Sequence, residues 1–346
     1  MVIIIKLVSD PGPGLGWCFH MKYEGEKPRI LLTRKLPDKG MSRLRSDAHL
    51  DLWEEDDAIP REEMLKRASE CDALICLLSE TIDGEIMNTG IKAIGNYAVG
   101  YDNIDIGEAT SRGIPVFNTP GVLTDATADI AMSLLLAAAR RLVEADSYIR
   151  EGRFTGWSPE LFLGKDLKGS RLGVIGAGKI GGAVLKRAKG FGMELTYNSR
   201  ERKPQLEKET GATYCDLDDI LKRSDFVSLN VPLTDETHHL IGRKELKMMK
   251  NDSILINTSR GPVVDEGELY SALVNGEIMA AGLDVFEEEP KVYPPLLELK
   301  NVVMLPHLGS ATVNTRTRMA EMVIDDVINY LKDKDVENCV NPSALG

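Results

Sequence analysis

Cysteine is scarce in this sequence. Five cysteines occur among 346 residues, an odd number without the pair spacing of metal ligands. This pattern favours buried thiols in a reducing cytoplasm over disulfides, and we predict no metal site. A catalytic cysteine is the alternative. The five are Cys18, Cys71, Cys76, Cys215 and Cys339.

Positive charge is in deficit. The chain carries 42 Lys and Arg against 54 Asp and Glu, a net charge of -12. Nucleic acids and membrane surfaces are themselves anionic, so a protein of this charge is repelled by both. We therefore predict no nucleic-acid partner and no membrane-surface partner.

Apolar runs of membrane length are also missing. The N-terminal segment MVIIIKLVS is apolar for only a few residues, contains Lys6 and runs into PGPGLG, without a signal-peptide cleavage pattern. Residues 1–28 are predicted to form an appendage before the first domain, and Met21 is an alternative start of the chain.

Short apolar segments alternate with helical patterns in two successive series. The chain is longer than one core usually serves, so the alternation predicts two α/β domains with parallel sheets. We expect both sheets to be doubly wound, with one domain flavodoxin-like and the other of Rossmann type. The first series is RILLTR (29–34), ALICLL (73–78), KAIGNYAVG (92–100) and PVFNT (115–119), with a helix at 61–70. The second is RLGVIG (171–176), ELTYN (194–198), FVSLNV (226–231), SILINTS (253–259), AAGLDVF (280–286) and VVMLPH (302–307).

Residues 120–141 are predicted to form a helix that connects the two domains. The segment follows a Pro-Gly turn, and Thr124 and Asp125 are the expected capping residues. Its apolar surface is broader than one stripe, which a core position or a dimer contact would satisfy.

A second crossing helix is predicted at residues 310–333. It is expected to begin at a Ser310 cap and carries a single apolar stripe. The chain would therefore leave the first domain near residue 120 and return to it near 307. We expect a discontinuous first domain of residues 29–119 and 307–346, and a second domain of residues 120–306.

A glycine-rich turn, GAGKIG, opens the second domain. It follows the apolar strand RLGVI and precedes a helical segment, the context that a dinucleotide fingerprint requires. Glycines allow the tight turn and let the backbone approach a pyrophosphate at a helix N-terminus. A purely structural turn is the alternative. The predicted binding residues are Gly176, Ala177, Gly178, Lys179, Ile180 and Gly181.

An acid is missing where such a site usually binds the adenosine ribose. The stretch YNSRERKP (197–204) ends the next strand and offers Asn198, Ser199 and Arg200 instead. An acid would repel a 2'-phosphate, whereas a hydroxyl and a guanidinium can bind one, with Arg202 and Lys203 adding positive charge. We therefore predict NADP(H) as the preferred cofactor, with NAD(H) possible if the stretch is only a solvated loop.

A dinucleotide enzyme that reduces a carbonyl needs a proton donor, and histidine suits that role near neutral pH. His307 ends the apolar strand VVMLP, at an edge where such sheets border the cofactor crevice. A structural histidine is the alternative. The others fit solvated or loop-packing roles better: His20, His49, His238 and His239.

Two further charged groups stand at strand ends. Arg260 follows SILINTS, where it could bind a carboxylate through two hydrogen bonds and polarise the adjacent carbonyl. The segment GLDVFEEEP offers a carboxylate that could accept a hydrogen bond from an imidazole and favour its charged form. Glu287, Glu288 and Glu289 are equally suitable on this reasoning, and a solvated loop is the alternative for each.

Five motifs in this order resemble the D-isomer-specific 2-hydroxyacid dehydrogenases. They are VGYDNID (99–105), GAGKIG (176–181), NTSRGPVVDEGELYSAL (257–273), GLDVFEEEP (282–290) and LPHLGSAT (305–312). The similarity covers about residues 29–342 and is greatest to the glyoxylate and hydroxypyruvate reductases. It implies a catalytic set of Arg260, Glu289 and His307, and so selects Glu289 from its neighbours.

The resemblance also implies a substrate and further binding residues. The backbone amides of Val99 and Gly100, with Arg260, would hold the carboxylate of a small 2-keto acid. The cofactor would be contacted by the glycine turn and by Ser199, Arg200, Thr258, Ser259, Arg260, Asp284, His307, Leu308 and Gly309. We expect a cytoplasmic homodimer that reduces glyoxylate or hydroxypyruvate to the D-2-hydroxy acid. The alternatives are phosphoglycerate dehydrogenase and an NAD(P)-binding corepressor-like protein.

Overall fold

Two parallel sheets form the framework of residues 27–346, the part of the chain described in the computed structural model. Met21, Cys18, His20 and nearly all of the predicted appendage lie outside these residues. The first sheet has the order β2-β1-β3-β4-β5, the flavodoxin-like order. Its strands are β1 (Arg29–Leu32), β2 (His49–Leu52), β3 (Ala73–Cys76), β4 (Ala93–Asn96) and β5 (Val116–Phe117).

The second sheet has seven strands in the order β12-β11-β10-β9-β6-β7-β8, and all of its pairings are parallel. The chain winds outward from β6 in both directions, as in a Rossmann domain. Its strands are β6 (Arg171–Ile175), β7 (Glu194–Asn198), β8 (Thr213–Tyr214), β9 (Phe226–Leu229), β10 (Ile254–Asn257), β11 (Ala280–Leu283) and β12 (Val302–Met304). The predicted fold class is confirmed.

Helices cover both faces of each sheet, with an apolar cluster on each face. The central strands are therefore buried at every residue, and their sequences are mostly apolar. The helices of the first domain are α1 (Ser42–Asp47), α2 (Arg61–Ala68), α3 (Gly84–Met87), α4 (Ile106–Ser111) and α12 (Val313–Leu331). Those of the second are α5 (Thr124–Ala139), α6 (Leu142–Arg150), α7 (Lys179–Gly190), α8 (Pro204–Thr210), α9 (Leu217–Arg223), α10 (Arg243–Met248) and α11 (Glu266–Val274).

The two long helices pack against different sheets. Helix α12 lies on β3, β4 and β5 and buries Met319, Val323 and Val327, which belong to its apolar stripe. Helix α5 packs on α7, β10 and β11 and is buried around much of its circumference, which accounts for its broad apolar surface. Within residues 27–346, no helix combines the length and the hydropathy needed to cross a membrane.

The predicted capping residues of both long helices are wrong. Helix α5 begins at Thr124 with the apolar Leu123 at the N-cap and no side-chain cap; Thr124 and Asp125 lie inside its first turn, where the Asp125 carboxylate accepts a hydrogen bond from Arg187 at 2.9 Å. Helix α12 is capped by Thr312, whose hydroxyl accepts the Thr315 amide at 3.1 Å. Ser310 precedes the cap because residues 308–311 form a separate turn, closed by the Ala311 amide on the Leu308 carbonyl.

The thiols are less uniformly buried than predicted. Cys71 and Cys76 are buried, whereas Cys215 and Cys339 are half-buried, and all four are free. Burial raises the pKa of Cys71 to about 11, so this thiol stays protonated at neutral pH.

Candidate active site

The carboxyl ends of the two sheets face a shared cleft of about 740 Å³, a volume within the usual range for small-molecule sites. In the second sheet the cleft lies at the switch point, where β6 and β9 are neighbours but the chain departs from them in opposite directions. The loops that follow β3 and β4 form the opposite wall.

The glycine turn lies between β6 and α7. Gly176 has a φ of +94°, and a Cβ there would lie 2.5 Å from the Asn230 carbonyl oxygen, so only glycine fits. Helix α7 has Gly178 at its N-cap and no side-chain cap from residues 27–346, so the first amides of the helix lack side-chain partners there. A Cβ at Gly178 would meet no described atom within 4 Å apart from its neighbours in the chain, so the turn is open at this residue. The turn can therefore hold an anionic group.

Two buried polar atoms in the cleft lack partners within the described residues. They are the hydroxyl oxygen of Thr258 and the side-chain oxygen of Asn230. Buried polar groups in folded proteins nearly always have a hydrogen-bond partner, so these two fit a site completed by a polar ligand. Together with the open glycine turn, the cleft therefore suits a dinucleotide.

The stretch after β7 presents one cation to the cleft. Arg200 is exposed, lines the cleft and forms no ion pair with any residue in 27–346. Arg202 instead donates two hydrogen bonds to Glu207, at 2.8 and 2.9 Å, and Lys203 lies 3.5 Å from Glu201.

The two polar neighbours of Arg200 make local contacts. The Ser199 hydroxyl donates a hydrogen bond to the Glu201 carbonyl at 2.5 Å. The side-chain amide of Asn198 donates to the Cys215 carbonyl at 3.0 Å. Of the predicted cations, Arg200 is therefore the one available to a ligand.

His307 and Glu289 are in direct contact, with 2.8 Å between Nδ1 and Oε2. Partial burial would raise the pKa of Glu289, but the hydrogen bond and the charge of His307 outweigh it, and the net effect lowers that pKa. Glu289 is therefore ionised at neutral pH. His307 has a φ of +54°, a conformation uncommon for residues other than glycine, and its amide donates to the Asp284 carbonyl at 2.9 Å.

The neighbouring carboxylates have other partners. Glu287 lies 2.5 Å from Nε2 of His239 and accepts the Glu266 amide at 3.0 Å, which places His239 in loop packing behind the cleft. Asp284 is almost fully buried, its pKa is raised by that burial, and its Oδ1 accepts the Leu308 amide at 2.6 Å.

Arg260 reaches across the cleft. Its Nε donates to Asp102 of the first domain at 3.0 Å, and its Nη1 donates to the Ser259 carbonyl at 2.9 Å. Its Nη2 lies so close to Gly100 that a Cβ there would be 1.7 Å away. The guanidinium and the loop after β4 thus meet in one place.

In the loop after β4, two backbone carbonyls accept hydrogen bonds from the segment that follows β5, and the adjoining amides point the other way. Asn118 donates to the Val99 carbonyl at 2.8 Å, and the Thr119 amide donates to the Ala98 carbonyl at 2.9 Å. In a trans peptide the N–H points opposite to the carbonyl, so the amides of Gly100 and Val99 face the other way. Both residues line the cleft. Sequence reasoning missed Asn118, although its position directly after β5 marked it as a candidate.

Comparisons with known proteins agree with this geometry. The sequence model described as "D-isomer specific 2-hydroxyacid dehydrogenase, NAD binding domain" matches residues 132–309. A glyoxylate reductase of Thermococcus litoralis is 53% identical over 325 residues, which cover 92% of this chain and 98% of the relative.

The chain belongs to the D-isomer-specific 2-hydroxyacid dehydrogenases. It is an NAD(P)-dependent enzyme of that family, as the motifs predicted.

Solved structures of similar proteins extend over nearly the whole dehydrogenase. The TT0316 protein of Thermus thermophilus is 44% identical with a TM-score of 0.86, covering 90% of this chain and 99% of its own. An NADPH-dependent glyoxylate/hydroxypyruvate reductase from Sinorhizobium meliloti, in complex with NADP and malonate, is 32% identical with a TM-score of 0.81, covering 92% and 98%.

Most of the residues predicted for the site of this dehydrogenase lie at its cleft. Those lining it are Val99, Gly100, Ile180, Arg200, Thr258, Ser259, Arg260, Asp284, His307 and Gly309. Gly309 is also tied to helix α5, because its carbonyl accepts the Thr127 hydroxyl at 3.1 Å. Ala177 is instead buried, and Leu308 contributes its amide to Asp284.

Proposed function

We propose that this dehydrogenase reduces glyoxylate and hydroxypyruvate to the corresponding D-2-hydroxy acid, with NADPH as its preferred reductant. The observation that carries the proposal is the meeting of the His307–Glu289 pair, Arg260 and the Val99–Gly100 amides at one cleft. The printed names of its relatives, glyoxylate reductase and NADPH-dependent glyoxylate/hydroxypyruvate reductase, support the same substrates.

Each side chain has a defined part in the proposed reaction. The amides of Val99 and Gly100 and the guanidinium of Arg260 bind the substrate carboxylate. His307 donates a proton to the keto oxygen as a general acid, and Glu289 stabilises the charged imidazole. The residues of the cleft would hold a reduced nicotinamide cofactor, whose chemistry when bound would be the supply of the hydride. Asp284 accepts the backbone amides of His307 and Leu308, and Gly309 accepts the Thr127 hydroxyl; these contacts would fix the backbone at His307.

The cofactor preference rests on the stretch after β7. Arg200 is a cation without an ion pair among the described residues, at the place where an acid would select NAD(H), and Ser199 adjoins it. A guanidinium pairs with the 2'-phosphate of NADP(H) and has no such partner in NAD(H). Glycine-turn residues 176–181, with Thr258 and Ser259, would hold the rest of the dinucleotide.

The two domains divide these tasks in the proposal. Residues 29–119 and 307–346 form a substrate-binding domain, supported by the packing of α12 on the first sheet, and residues 120–306 form the dinucleotide-binding domain. Closure of the domains over the ligands would exclude water from the reaction.

We also propose a homodimer located in the cytoplasm. Large apolar side chains are concentrated and exposed between residues 142 and 163, including Trp157 at 85%, Leu163 at 64% and Ile149 at 62%. Exposed apolar surface of this density is typical of a protein interface, and a second copy of this chain would cover it. Light scattering tests the oligomeric state. We expect the mass of a dimer for the wild type and a shift toward the mass of a monomer for Trp157→Ser. The free thiols support the location.

A substrate panel tests the function. The loss of reduced-nicotinamide absorbance is measured with glyoxylate, hydroxypyruvate and phosphohydroxypyruvate, each with NADPH and NADH. We expect the highest kcat/KM with glyoxylate or hydroxypyruvate and NADPH. A preference for phosphohydroxypyruvate would favour a phosphoglycerate dehydrogenase, and turnover of no 2-keto acid would favour a binding protein.

A further inference from the structure

A carboxylate stands inside a site that otherwise suits an anion. Asp102, in the loop after β4, lies 3.0 and 3.2 Å from Nε of Arg260 through its two oxygens. The two residues belong to opposite domains and are separated by 158 positions in the chain. No other hydrogen bond or ion pair of the Asp102 side chain occurs within residues 27–346.

An unpaired acid here would weaken substrate binding, because like charges brought together repel. Its neighbour Asp105 has a clear structural task, since its Oδ1 accepts the Glu108 amide at the N-cap of α4. Asp102 caps no helix and holds no backbone amide among the described residues. Among the described residues, the hydrogen-bond and ion-pair partner of its side chain is Arg260.

The contact fixes the orientation of the guanidinium. Nε is engaged by Asp102 and Nη1 by the Ser259 carbonyl, so the group is held at two points from two domains. Nη2 is thereby placed against Gly100, beside the outward-facing amides of the loop. The Arg260 side chain is 18% exposed and that of Asp102 is 31%, so the pair is partly shielded from water and stronger than a surface pair.

We propose that Asp102 is a positioning residue that aims Arg260 at the substrate carboxylate. This inference rests on the proposed role of Arg260 in binding that carboxylate. Because the pair spans the cleft, the correct orientation of Arg260 also depends on the approach of the two domains.

The test compares Asp102→Ala and Asp102→Asn with Asp105→Asn, a matched acid-to-amide change in the same loop that keeps a capping side chain. Measured quantities are KM and kcat with glyoxylate, the inhibition constant of the keto-acid analogue oxamate, and the Kd for NADPH. A charged hydrogen bond predicts that Asp102→Ala raises KM and the oxamate constant by about 10- to 100-fold. Asp102→Asn, which keeps an acceptor, should show a smaller rise. The Kd for NADPH should be unchanged in both Asp102 variants, and Asp105→Asn should leave all four measured quantities unchanged.

A double variant separates this inference from the proposed function. In an Arg260→Ala background, Asp102→Ala should add less than about a twofold effect, because interacting residues are not additive. A full additional effect, or a single Asp102→Ala variant with unchanged or lower KM, would overturn the positioning role. If Arg260→Ala itself left KM and oxamate binding unchanged, the proposed function of Arg260 would fall instead. If Asp102→Ala does not fold, the inhibition constant of oxamate for Asp102→Asn is the test. A constant above that of the wild type supports the positioning role, and an unchanged constant contradicts it.

Discussion

The imidazole of His307 and the carboxylate of Glu289 are joined by a 2.8 Å hydrogen bond through Nδ1 and Oε2. The other carboxylate oxygen accepts the Phe286 amide at 3.0 Å, so Glu289 is held on both sides. A histidine whose Nδ1 is occupied in this way has its ring orientation fixed and keeps Nε2 available. The geometry therefore provides one ring nitrogen for the proposed proton transfer.

Replacing Glu289 by Gln tests this arrangement. The amide can keep part of the geometry but removes the negative charge that stabilises the charged imidazole, so kcat should fall by about 10- to 100-fold. Dinucleotide affinity should stay the same. The exposed neighbour Glu288 gives the control, since Glu288→Gln alters no contact of His307. Equal kcat values for the two variants would remove Glu289 from the mechanism.

The closeness of Gly100 to Arg260 predicts a binding defect without a folding defect. A Cβ at Gly100 would lie 1.7 Å from Nη2 of Arg260, so the guanidinium would be displaced from the position in which Asp102 and Ser259 hold it, while the backbone could stay in place. Gly100→Ala should therefore raise KM for glyoxylate by about tenfold or more while the Tm changes little. Gly107→Ala, an exposed change within helix α4 whose Cβ would meet only an atom at 3.5 Å, should leave KM unchanged without lowering the Tm. Wild-type KM for Gly100→Ala would show that this contact does not serve the substrate.

Arg200 predicts the cofactor preference. A hydrogen bond to a charged group contributes about 1.5 to 3 kcal/mol, so Arg200→Ala should weaken NADPH binding by about 10- to 150-fold and barely affect NADH. Arg202→Ala is a matched control, because Arg202 is already paired with Glu207. The measurement is kcat/KM for both cofactors. Equal losses with NADPH and NADH, or a wild type that prefers NADH, would refute the preference.

Strand positions were predicted well for the interior strands of the two sheets. ELTYN was expected at residues 194–198 and forms β7 over those residues, and the other interior strands differ mainly in their last residues. Of the edge strands of the two sheets, β5 and β12 were predicted, whereas β2 and β8 were missed. His49 was assigned to a solvated charged stretch and is exposed, yet it begins β2, because an edge strand needs little apolar sequence when a neighbour supplies its backbone partners.

Side-chain partners at the site were harder to predict than its location. Parallel strands bring their carboxyl ends to one edge, so the placement of Arg260 and His307 at the cleft followed from the pattern. The contact of Asp102 with Arg260 depends on how the two domains meet, which no local pattern encodes. Arg202 and Lys203 were expected to add positive charge near a 2'-phosphate, but each pairs with a nearby carboxylate.

Asp225 predicts an acid-sensitive step in stability. Burial would raise its pKa, but the Arg171 amide, Lys250 and Lys165 lower it from 3.8 to about 2. A carboxyl with a depressed pKa contributes stability that is complete above the unfolded pKa and is lost as the pH falls from 3.8 toward 2. Asp225→Asn should therefore lower the free energy of unfolding by about 2 kcal/mol at pH 7.

Denaturation at pH 7, 5, 4 and 3 checks this prediction. The difference between the wild type and Asp225→Asn should stay constant down to pH 4 and narrow below it. The exposed Asp218 provides the control, since Asp218→Asn removes only a pair with Lys222 on the surface of one helix and should cost less than about 0.5 kcal/mol. A difference independent of pH would rule out the charge of Asp225 as its cause.

The most direct test of the account is the kcat of His307→Ala with glyoxylate and NADPH, measured alongside the Kd for NADPH. General acid catalysis is typically worth about 10²- to 10⁴-fold, so kcat should fall by that order while the dinucleotide still binds. A kcat close to that of the wild type, with intact cofactor binding, would contradict the assignment of His307 as the proton donor.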